Sequence, residues 1–272
     1  MKPTISVILT TYNAEAWLEK VLIGFAQQTF KDFELIVADD GSGPKTKALI
    51  DRLSQEVFYP IIHVWHRDNG FQKTKILNKA IVKANGDYLV FTDGDCIPRK
   101  DFLNVHHLKK QNGFFLSGGY FKLPMDLSRS IQNDDISSQK CFDHSWLLKN
   151  GLPFKFKNLK LTARGFFAKL MNFLTPTKPT WNGHNASGWK SDLIEVNGYD
   201  ERMQWGGLDR ELGERLVNSG IKGKQIRYAA ICIHLDHKRG YKNQESIAAN
   251  WKIRNEVKLK KKTRTEFGIV SA

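Results

Sequence analysis

The sequence lacks several features that would assign it to a common protein class. Its 272 residues contain no run of about 18 apolar residues, which a transmembrane helix would require. The three cysteines, Cys96, Cys141 and Cys232, are odd in number and widely spaced, so neither a disulfide framework nor a zinc cluster is indicated. The N-terminus lacks the long uncharged core and cleavage site of a signal peptide. These absences favour a globular protein of a reducing cytosol.

Two common nucleotide-binding motifs are also missing. Neither GxGxxG nor GxxxxGK[ST] occurs at the first predicted strand-to-helix turn, which argues against a dinucleotide enzyme and a P-loop NTPase. Basic residues, in contrast, are abundant, and the formal net charge is +14. The partners are therefore expected to be anionic: nucleic acid, acidic lipid headgroups or a phosphorylated substrate. Seven basic residues between positions 252 and 264 form a C-terminal tail that is either a solvated face or an electrostatic anchor.

The first part of the chain alternates strand and helix patterns. We predict strands at 6–11, 33–38, 61–65 and 87–92, and helices at 45–55, 74–84 and over a first segment capped by Asn13. This βαβα order predicts an α/β fold with a mostly parallel, Rossmann-like sheet and helices on both faces.

The alternation of strand and helix patterns ends after Asp101. Residues 154–173 combine phenylalanine and leucine with lysine and arginine, and two interpretations remain open. The segment is either an amphipathic helix that lies on a membrane or a core-packing helix with a solvated outer side.

Two carboxylates follow the apolar strand that begins at Tyr88. Asp93 and Asp95 flank Gly94, so their side chains can converge while the backbone stays tight. At the end of a parallel strand they face the crevice where open α/β sheets bind ligands. Neighbouring carboxylates repel unless a cation or a proton lies between them, and oxygen ligands suit Mg²⁺ or Mn²⁺. The pattern predicts a metal that holds a diphosphate, while the alternative is an ordinary turn.

Three other polar clusters belong with this pair. Residues 10–13 follow the first strand, residues 39–42 follow the second, and residues 205–211 lie downstream. The first two share a sheet edge with the carboxylates, so one ligand could contact all of them. An aromatic ring, a metal-held diphosphate and an acidic base are typical of a nucleotide-sugar site.

These motifs resemble those of the family 2 glycosyltransferases, which are inverting enzymes with the GT-A fold; the resemblance covers roughly residues 1–105 and returns over 181–240. Leu77 stands where the family has arginine, so a contact to the diphosphate or nucleoside must come from Lys73 or Lys75, or be absent. The resemblance implies a Mn²⁺ or Mg²⁺ ion on Asp95, Asp93 and His234, with Asp95 as the preferred direct ligand and His237 as the alternative histidine. The implied nucleotide-sugar contacts are Thr10, Tyr12, Asn13, Asp40, Lys73, Lys75, Asp93 and Gly94.

The second half resembles the C-terminal part of the β-1,4-galactosyltransferase and chondroitin-polymerase group. That group has a Trp-Gly-Gly-Glu-Asp motif whose aspartate is the catalytic base, which implies this role for Asp209, whereas Leu208 replaces the glutamate. The alternative is that Asp209 and Glu211 only cap the helix predicted at 209–219. The implied acceptor contacts are Trp205, Gly206, Gly207, Asn185, Trp189 and Glu211.

The expected organisation is one GT-A domain with a smaller acceptor-side region. Its parts are a nucleotide-sugar-binding half at 1–105, a variable, partly amphipathic insertion at 106–180, an acceptor and catalytic-base region at 181–240, and a basic tail at 241–272. The expected function is metal-dependent transfer of a hexose or N-acetylhexosamine from a UDP-sugar to a hydroxyl of a glycan or lipid-linked glycan, in bacterial surface polysaccharide or lipopolysaccharide synthesis.

Three alternatives differ in class: a nucleotidyltransferase, a non-catalytic sugar-binding relative and a nucleic-acid-binding protein. No recognisable nucleic-acid module is present, so no nucleic-acid partner is expected. The expected location is the cytoplasm, with peripheral contact to the anionic inner face of the plasma membrane.

Overall fold

A computed structural model describes residues 2–237 and 243–270. The strands are β1 (Ile5–Thr11), β2 (Phe33–Asp39), β3 (Ile61–Trp65), β4 (Tyr88–Asp93), β5 (Cys96–Pro98), β6 (Phe114–Ser117), β7 (Gly119–Lys122), β8 (Ala186–Trp189), β9 (Lys222–Gln225) and β10 (Ile231–His234). The helices are α1 (Glu15–Ala26), α2 (Pro44–Glu56), α3 (Lys73–Lys83), α4 (Phe102–Lys109), α5 (Met125–Ser130), α6 (Asn133–Ser137), α7 (His144–Lys149), α8 (Leu159–Thr162), α9 (Gly165–Leu174), α10 (Lys190–Glu195), α11 (Leu208–Asn218) and α12 (Gln244–Leu259).

The central sheet has seven strands in the order β3-β2-β1-β4-β8-β6-β9. Only its pairings with β8 are antiparallel, and all its other pairings are parallel. The predicted α/β fold with a mostly parallel sheet is therefore confirmed. The four parallel strands β1 to β4 come from the first 93 residues, whereas the other three come from later parts of the chain.

Helices cover both faces of this sheet, as predicted. Ile5, Val7 and Leu9 of β1 belong to the hydrophobic core that contains buried residues of α1 and α2, whereas Ile8 belongs to a second core with α3 and α11. Successive side chains of a strand point to opposite faces, so a strand such as β1, which buries apolar residues on both faces, requires cover on both sides.

A second, three-stranded sheet in the order β5-β10-β7 lies next to the carboxyl end of β4. β10 pairs antiparallel with β5, which places His234 opposite Cys96, the residue that follows Asp95. In the central sheet, Thr10 of β1 lies in register with Asp93 of β4. The two sheets together therefore bring the ends of β1, β4 and β10 to one place.

One local prediction is corrected. Asn13 does not cap α1, because Ala14 occupies the N-cap position and Asn13 adopts a φ of +43°. Its side chain instead accepts a hydrogen bond from the Gly43 backbone N–H at 2.9 Å, and its own N–H donates to Ser42 Oγ. β10 ends at His234, so His237 lies past the end of this strand. Among the described residues, none of the helices is both long and apolar enough to span a bilayer.

Candidate active site

Asp93 lies at the end of β4 and receives two hydrogen bonds. Thr10 Oγ1 and Lys73 Nζ donate to Asp93 Oδ1 at 2.8 and 2.7 Å. Burial alone would raise the pKa of Asp93, but the Lys73 ammonium holds this pKa well below its usual range. The backbone of Gly94 lies close to β1, since its N–H donates to Thr10 O. An added Cβ would lie only 2.8 Å from that oxygen, so this position requires glycine. The carboxylate therefore stays charged at a fixed position.

Lys73, the first residue of α3, forms an ion pair with Asp93 and is also affected by the charges of two other carboxylates. Burial opposes its positive charge, yet the charges of Asp93, Asp209 and Asp95 raise the pKa of Lys73 above its usual value. Electrostatic effects fall with distance, so carboxylates that all act on one ammonium lie around it. Two motifs more than a hundred residues apart in the chain thus face a common point.

Asp95 forms a cluster with two histidines. Its Oδ2 lies 3.0 Å from His237 Nε2 and 3.5 Å from His234 Nε2, and one donor atom from each of the three residues falls within 4.8 Å of the others. Within the described ranges, the buried Nδ1 of His234 has no hydrogen-bond partner. A carboxylate and two imidazoles form a donor set that suits Mn²⁺. These residues therefore fit a divalent ion, and both candidate histidines lie beside Asp95.

Asp93, Asp95 and Cys96 form an overlapping group with the same close spacing. A thiolate suits softer ions, whereas Mn²⁺ and Mg²⁺ prefer oxygen ligands, with imidazole as a further donor for Mn²⁺. The histidine side of Asp95 is therefore the better metal site.

A second group of site residues lies directly after the ends of β1, β2 and β3. Tyr12 is 51% exposed, and its hydroxyl donates to Asp68 Oδ2 at 2.9 Å. Asp40 Oδ2 accepts from the Gln72 N–H at 3.0 Å, and its Oδ1 lies 2.8 Å from His66 Nε2. Burial raises the pKa of Asp40, while the His66 and Gln72 contacts oppose this effect. An open aromatic face beside fixed carboxylates can bind a nucleobase and a ribose.

His66 and Asp68 were not predicted from the sequence as site residues. The signal was present, because both follow β3, the third parallel strand, and so lie at the sheet edge where the other strand ends meet.

Asp209 occupies the first turn of α11. The Tyr199 hydroxyl donates to its Oδ1 at 3.3 Å, and the Gly183 backbone also donates to the carboxylate. Burial raises the pKa of Asp209, and the positive charge of Lys73 opposes that rise. Gly183 leaves little spare room, since an added Cβ would lie 3.0 Å from Asp209 Oδ1. The carboxylate is thus held in place as a proton acceptor.

The loop before α11 contains the predicted acceptor contacts Trp205, Gly206 and Gly207. Gly206 and Gly207 have φ of +107° and +86°, a region that favours glycine. Asn250 of α12 donates its amide hydrogens to the carbonyls of residues 204–206. This loop is therefore fixed by α12, directly before Asp209.

Two other predicted acceptor contacts lie away from this loop. Asn185 is completely buried, and its amide donates to Gly119 O and Ala230 O at 3.0 Å. Trp189 lies in register with Tyr88, at the opposite end of β4 from Asp93. The spacing in the sequence suggested a binding region, but the tertiary packing gives both residues structural roles.

Glu211 also does not reach the site. It is fully buried and forms an ion pair with Arg215 at 2.6 Å, which in turn donates to the carbonyls of Val196 and Gly198. Arg215 lies one helical turn further along α11, so the pair stabilises the interior side of the helix.

The two leucines that depart from the family motifs belong to the core. Leu77 and Leu208 are buried in the same hydrophobic cluster. Lys75 is half-buried in α3, and no contact between it and the carboxylates is found in the part of the chain that the structure describes. Lys73 is therefore the basic residue that reaches the site.

His184 is a site residue that the sequence did not predict. Burial lowers its pKa to about 4, against the opposing charge of Asp93. Its ring packs against Tyr120 with centroids 4.6 Å apart, and Tyr120 also contacts the His234 ring at 4.8 Å. The segment around His184 has no helical or strand periodicity, so the sequence gave no indication that this histidine contacts Tyr120.

Comparisons with known proteins indicate similarity to glycosyltransferases. Residues 6–120 match the family described as glycosyl transferase family 2, and residues 177–238 match the N-terminal domain of galactosyltransferase. The uncharacterized glycosyltransferase YfnE of Bacillus subtilis is 25% identical over 279 residues, which cover 90% of this chain and 68% of that protein. Chondroitin synthase of Pasteurella multocida is 25% identical over 79% of this chain and 23% of its own length. The chain spans about half or less of several other curated relatives.

Two solved structures share the fold. S. aureus TarS 1-349 in complex with UDP has a TM-score of 0.61 at 15% identity and covers 92% of this chain and 64% of its own. The mannosyltransferase PcManGT of Pyrobaculum calidifontis, in complex with GDP-Man and Mn²⁺, has a TM-score of 0.57 at 19% identity and covers 95% and 62%. These likenesses confirm the predicted GT-A fold.

Proposed function

On the premise that residues 6–120 match the family 2 glycosyltransferases, as the motifs predict, we propose that this chain transfers a hexosyl or N-acetylhexosaminyl group from a UDP-sugar to a hydroxyl of a glycan acceptor. The observation that carries the proposal is the ion pair of Lys73 with Asp93 at 2.7 Å, together with the effect of the Asp95 and Asp209 charges on the same ammonium. This arrangement joins the two motifs at one point, where a donor and an acceptor could meet.

In this proposal the donor binds along the edge of the central sheet. Tyr12 and Asp40 contact the nucleoside, and Lys73 interacts with the diphosphate. Asp95, His234 and His237 would hold a Mn²⁺ or Mg²⁺ ion, and such an ion would supply positive charge against the negative charge that develops on the departing diphosphate.

The reaction is a single displacement with inversion. The acceptor oxygen forms a bond to the anomeric carbon while the bond from that carbon to the diphosphate oxygen breaks, and the electron pair leaves with UDP. The proton of the acceptor hydroxyl moves to the Asp209 carboxylate, which Tyr199 and Gly183 keep in position. Trp205 offers an aromatic face for the acceptor sugar.

We place the acceptor among bacterial surface polysaccharides or lipopolysaccharide intermediates and the protein at the cytoplasmic face of the membrane. Relatives named as glycosyltransferases of chondroitin and teichuronic acid synthesis support the first statement. The net charge of +14 supports the second, because lipid-linked intermediates carry phosphate.

The test is a panel of UDP- and GDP-sugars, with release of nucleoside diphosphate measured with and without Mn²⁺ and a soluble glycan acceptor. We expect acceptor-dependent release from a UDP-sugar. Asp209→Asn should lower the transfer rate by about 10²–10⁴-fold with donor affinity unchanged, because only the proton acceptor is lost.

The matched control is Asp51→Asn, which makes the same change on exposed α2, where Asp51 pairs with Lys47. It should transfer at the wild-type rate. Near-normal turnover by Asp209→Asn would refute the role of this residue as the base, and release from no nucleotide-sugar would refute the proposed function.

A further inference from the structure

Helix α9 has its apolar side turned away from the protein. Its large apolar residues recur at helical spacing and form one stripe. The opposite side faces inward: Ala168 is buried, and Asn172 Oδ1 accepts a hydrogen bond from the Tyr228 N–H at 2.8 Å. The stripe is exposed, with Phe166 at 79% and Phe173 at 85%. Its members are Phe166, Phe167, Leu170, Phe173 and Leu174.

This orientation excludes the core-packing alternative for the segment. A helix that packs into a core buries its apolar stripe, whereas α9 packs through alanine and asparagine. Exposed apolar residues that form a contiguous group on a helix are typical of an interaction surface, unlike the scattered ones found on any protein.

The segment before α8 adds two further aromatic rings. Phe154 and Phe156 are each 79% exposed, and they alternate with the exposed Lys155 and Lys157. We refer to residues 154–174 as the docking surface.

The charge around the docking surface has one sign. No aspartate or glutamate occurs between residues 144 and 191, a stretch that contains eight lysines and arginines. Six of these are exposed: Lys149, Lys155, Lys157, Arg164, Lys169 and Lys178. The docking surface therefore combines exposed phenylalanines with lysines and arginine, and no acidic residue lies near them in the sequence. A partner that suits it has an anionic outer layer and an apolar layer beneath.

We infer that the docking surface binds an anionic lipid bilayer. The stripe of α9 and the rings of Phe154 and Phe156 enter the boundary between headgroups and acyl chains, and the flanking lysines and Arg164 contact lipid phosphates. A single short helix gives reversible binding, so the protein is recruited to the membrane surface without crossing it.

The docking surface is joined to the candidate active site. Lys160 Nζ donates to Tyr120 O at 2.9 Å, and the Tyr120 ring contacts His234. Arg99 donates to the carbonyls of Leu161 and Ala163. When the docking surface is bound to a bilayer, these contacts would hold the candidate active site near lipid-linked acceptors. Only that last statement rests on the proposed function.

The test is co-sedimentation of the full chain with vesicles of phosphatidylcholine alone or with 30 mol% phosphatidylglycerol, at physiological salt. We expect binding to the anionic vesicles only. Phe166→Ser with Phe173→Ser should weaken this binding by about tenfold or more. The control, Val82→Ser with Leu259→Ser, removes two apolar side chains that are 54% and 78% exposed on α3 and α12, and it should bind as the wild type does.

A second pair of variants tests the charge. Lys155→Glu with Lys157→Glu should weaken binding to anionic vesicles, whereas Lys45→Glu with Lys83→Glu makes the same charge change away from the docking surface and should affect binding much less. Unaltered thermal unfolding and donor hydrolysis in solution, for all variants, would separate loss of docking from loss of the fold or of the transferase activity.

Three results would overturn the inference. The first is a lack of binding to anionic vesicles by the wild type. The second is binding that the phenylalanine variant retains. The third is a dimer in light scattering that the same variant dissociates, which would assign the surface to a second copy of the chain.

Discussion

At the residue scale, Lys73 determines how the two aspartates of the Asp-Gly-Asp turn divide their roles. Asp93 is hydrogen-bonded to Lys73 and Thr10, whereas Asp95 faces His234 and His237. The family resemblance favoured Asp95 as the direct metal ligand, but the local sequence alone could not separate the two carboxylates, because the difference depends on α3 and on a strand more than a hundred residues later. We therefore propose Asp95 as the principal metal ligand and Asp93 as the partner of Lys73.

A buried histidine gives a residue-scale prediction about pH. His106 in α4 is fully buried, within hydrogen-bond distance of Ser187 Oγ and Asn185 Oδ1. Burial lowers its pKa to about 3, compared with about 6.5 in an unfolded chain. The unfolded state therefore binds more protons between these values. The stabilisation from neutral His106 is complete above pH 6.5 and is lost as the pH falls toward 3, by about 2 kcal/mol at pH 5.

Urea unfolding at pH 7 and pH 5 checks this prediction. His106→Gln should be less stable than the wild type at pH 7 because it disturbs both contacts. Its free energy of unfolding should, however, fall by about 2 kcal/mol less between the two pH values. An equal fall in variant and wild type would show that His106 is not the group that titrates.

At the scale of single elements, the start of α11 positions Asp209. Gly207 is the N-cap residue, in the left-handed region at a φ of +86°, and an added Cβ would meet Arg254 Cδ at 3.1 Å. The double glycine is therefore required by backbone geometry, independently of any acceptor contact. This requirement explains why the motif occurs where the carboxylate must be held.

Substitution of this N-cap glycine tests the requirement. Gly207→Ala should lower the free energy of unfolding by about 1–2 kcal/mol, because a Cβ disfavours the left-handed region. Gly43 is the matched control, since it is the N-cap of α2 but has a φ of −72°, with the nearest atom to an added Cβ 3.8 Å away. Gly43→Ala should change the stability by only a few tenths of a kcal/mol. Equal losses in the two variants, measured by chemical denaturation, would contradict the argument.

The elements differ in how far the sequence could predict them. β1 to β4, α2, α3 and α11 lie within a few residues of their predicted bounds, because each has a clear apolar period or a buried run between turn residues. The small sheet of β5, β7 and β10 was missed as a unit. Its strands have only three or four residues, and their pairing joins segments distant in the chain, so no local pattern encodes it.

At the scale of the whole molecule, the site exists only when distant segments fold together. β4 contributes Asp93, α3 contributes Lys73 and α11 contributes Asp209, while β8 from the second half pairs with β4. The sequence predicted which motifs belong to the site, since their residue types suit nucleotide-sugar chemistry. The sequence did not predict that Asn185, Trp189 and Glu211 serve the core, because burial depends on tertiary packing.

The net charge of +14 also acts at this scale. In the chain as a whole the net charge predicts an anionic partner. The stretch from 144 to 191 has no acidic residue, so the docking surface is the part of the chain where we expect that partner to bind. The docking surface and the candidate active site belong to one fold, and vesicle binding tests the first while sugar transfer tests the second.

The measurement that tests the central claim most directly is a crystal structure with Mn²⁺ and UDP, with manganese located from its anomalous scattering. The account predicts manganese coordinated by Asp95, His234 and His237 and by the diphosphate, with Asp209 facing the same cavity at a distance that one sugar ring can span. Manganese at another position, or UDP in a cavity that Asp209 does not face, would contradict it.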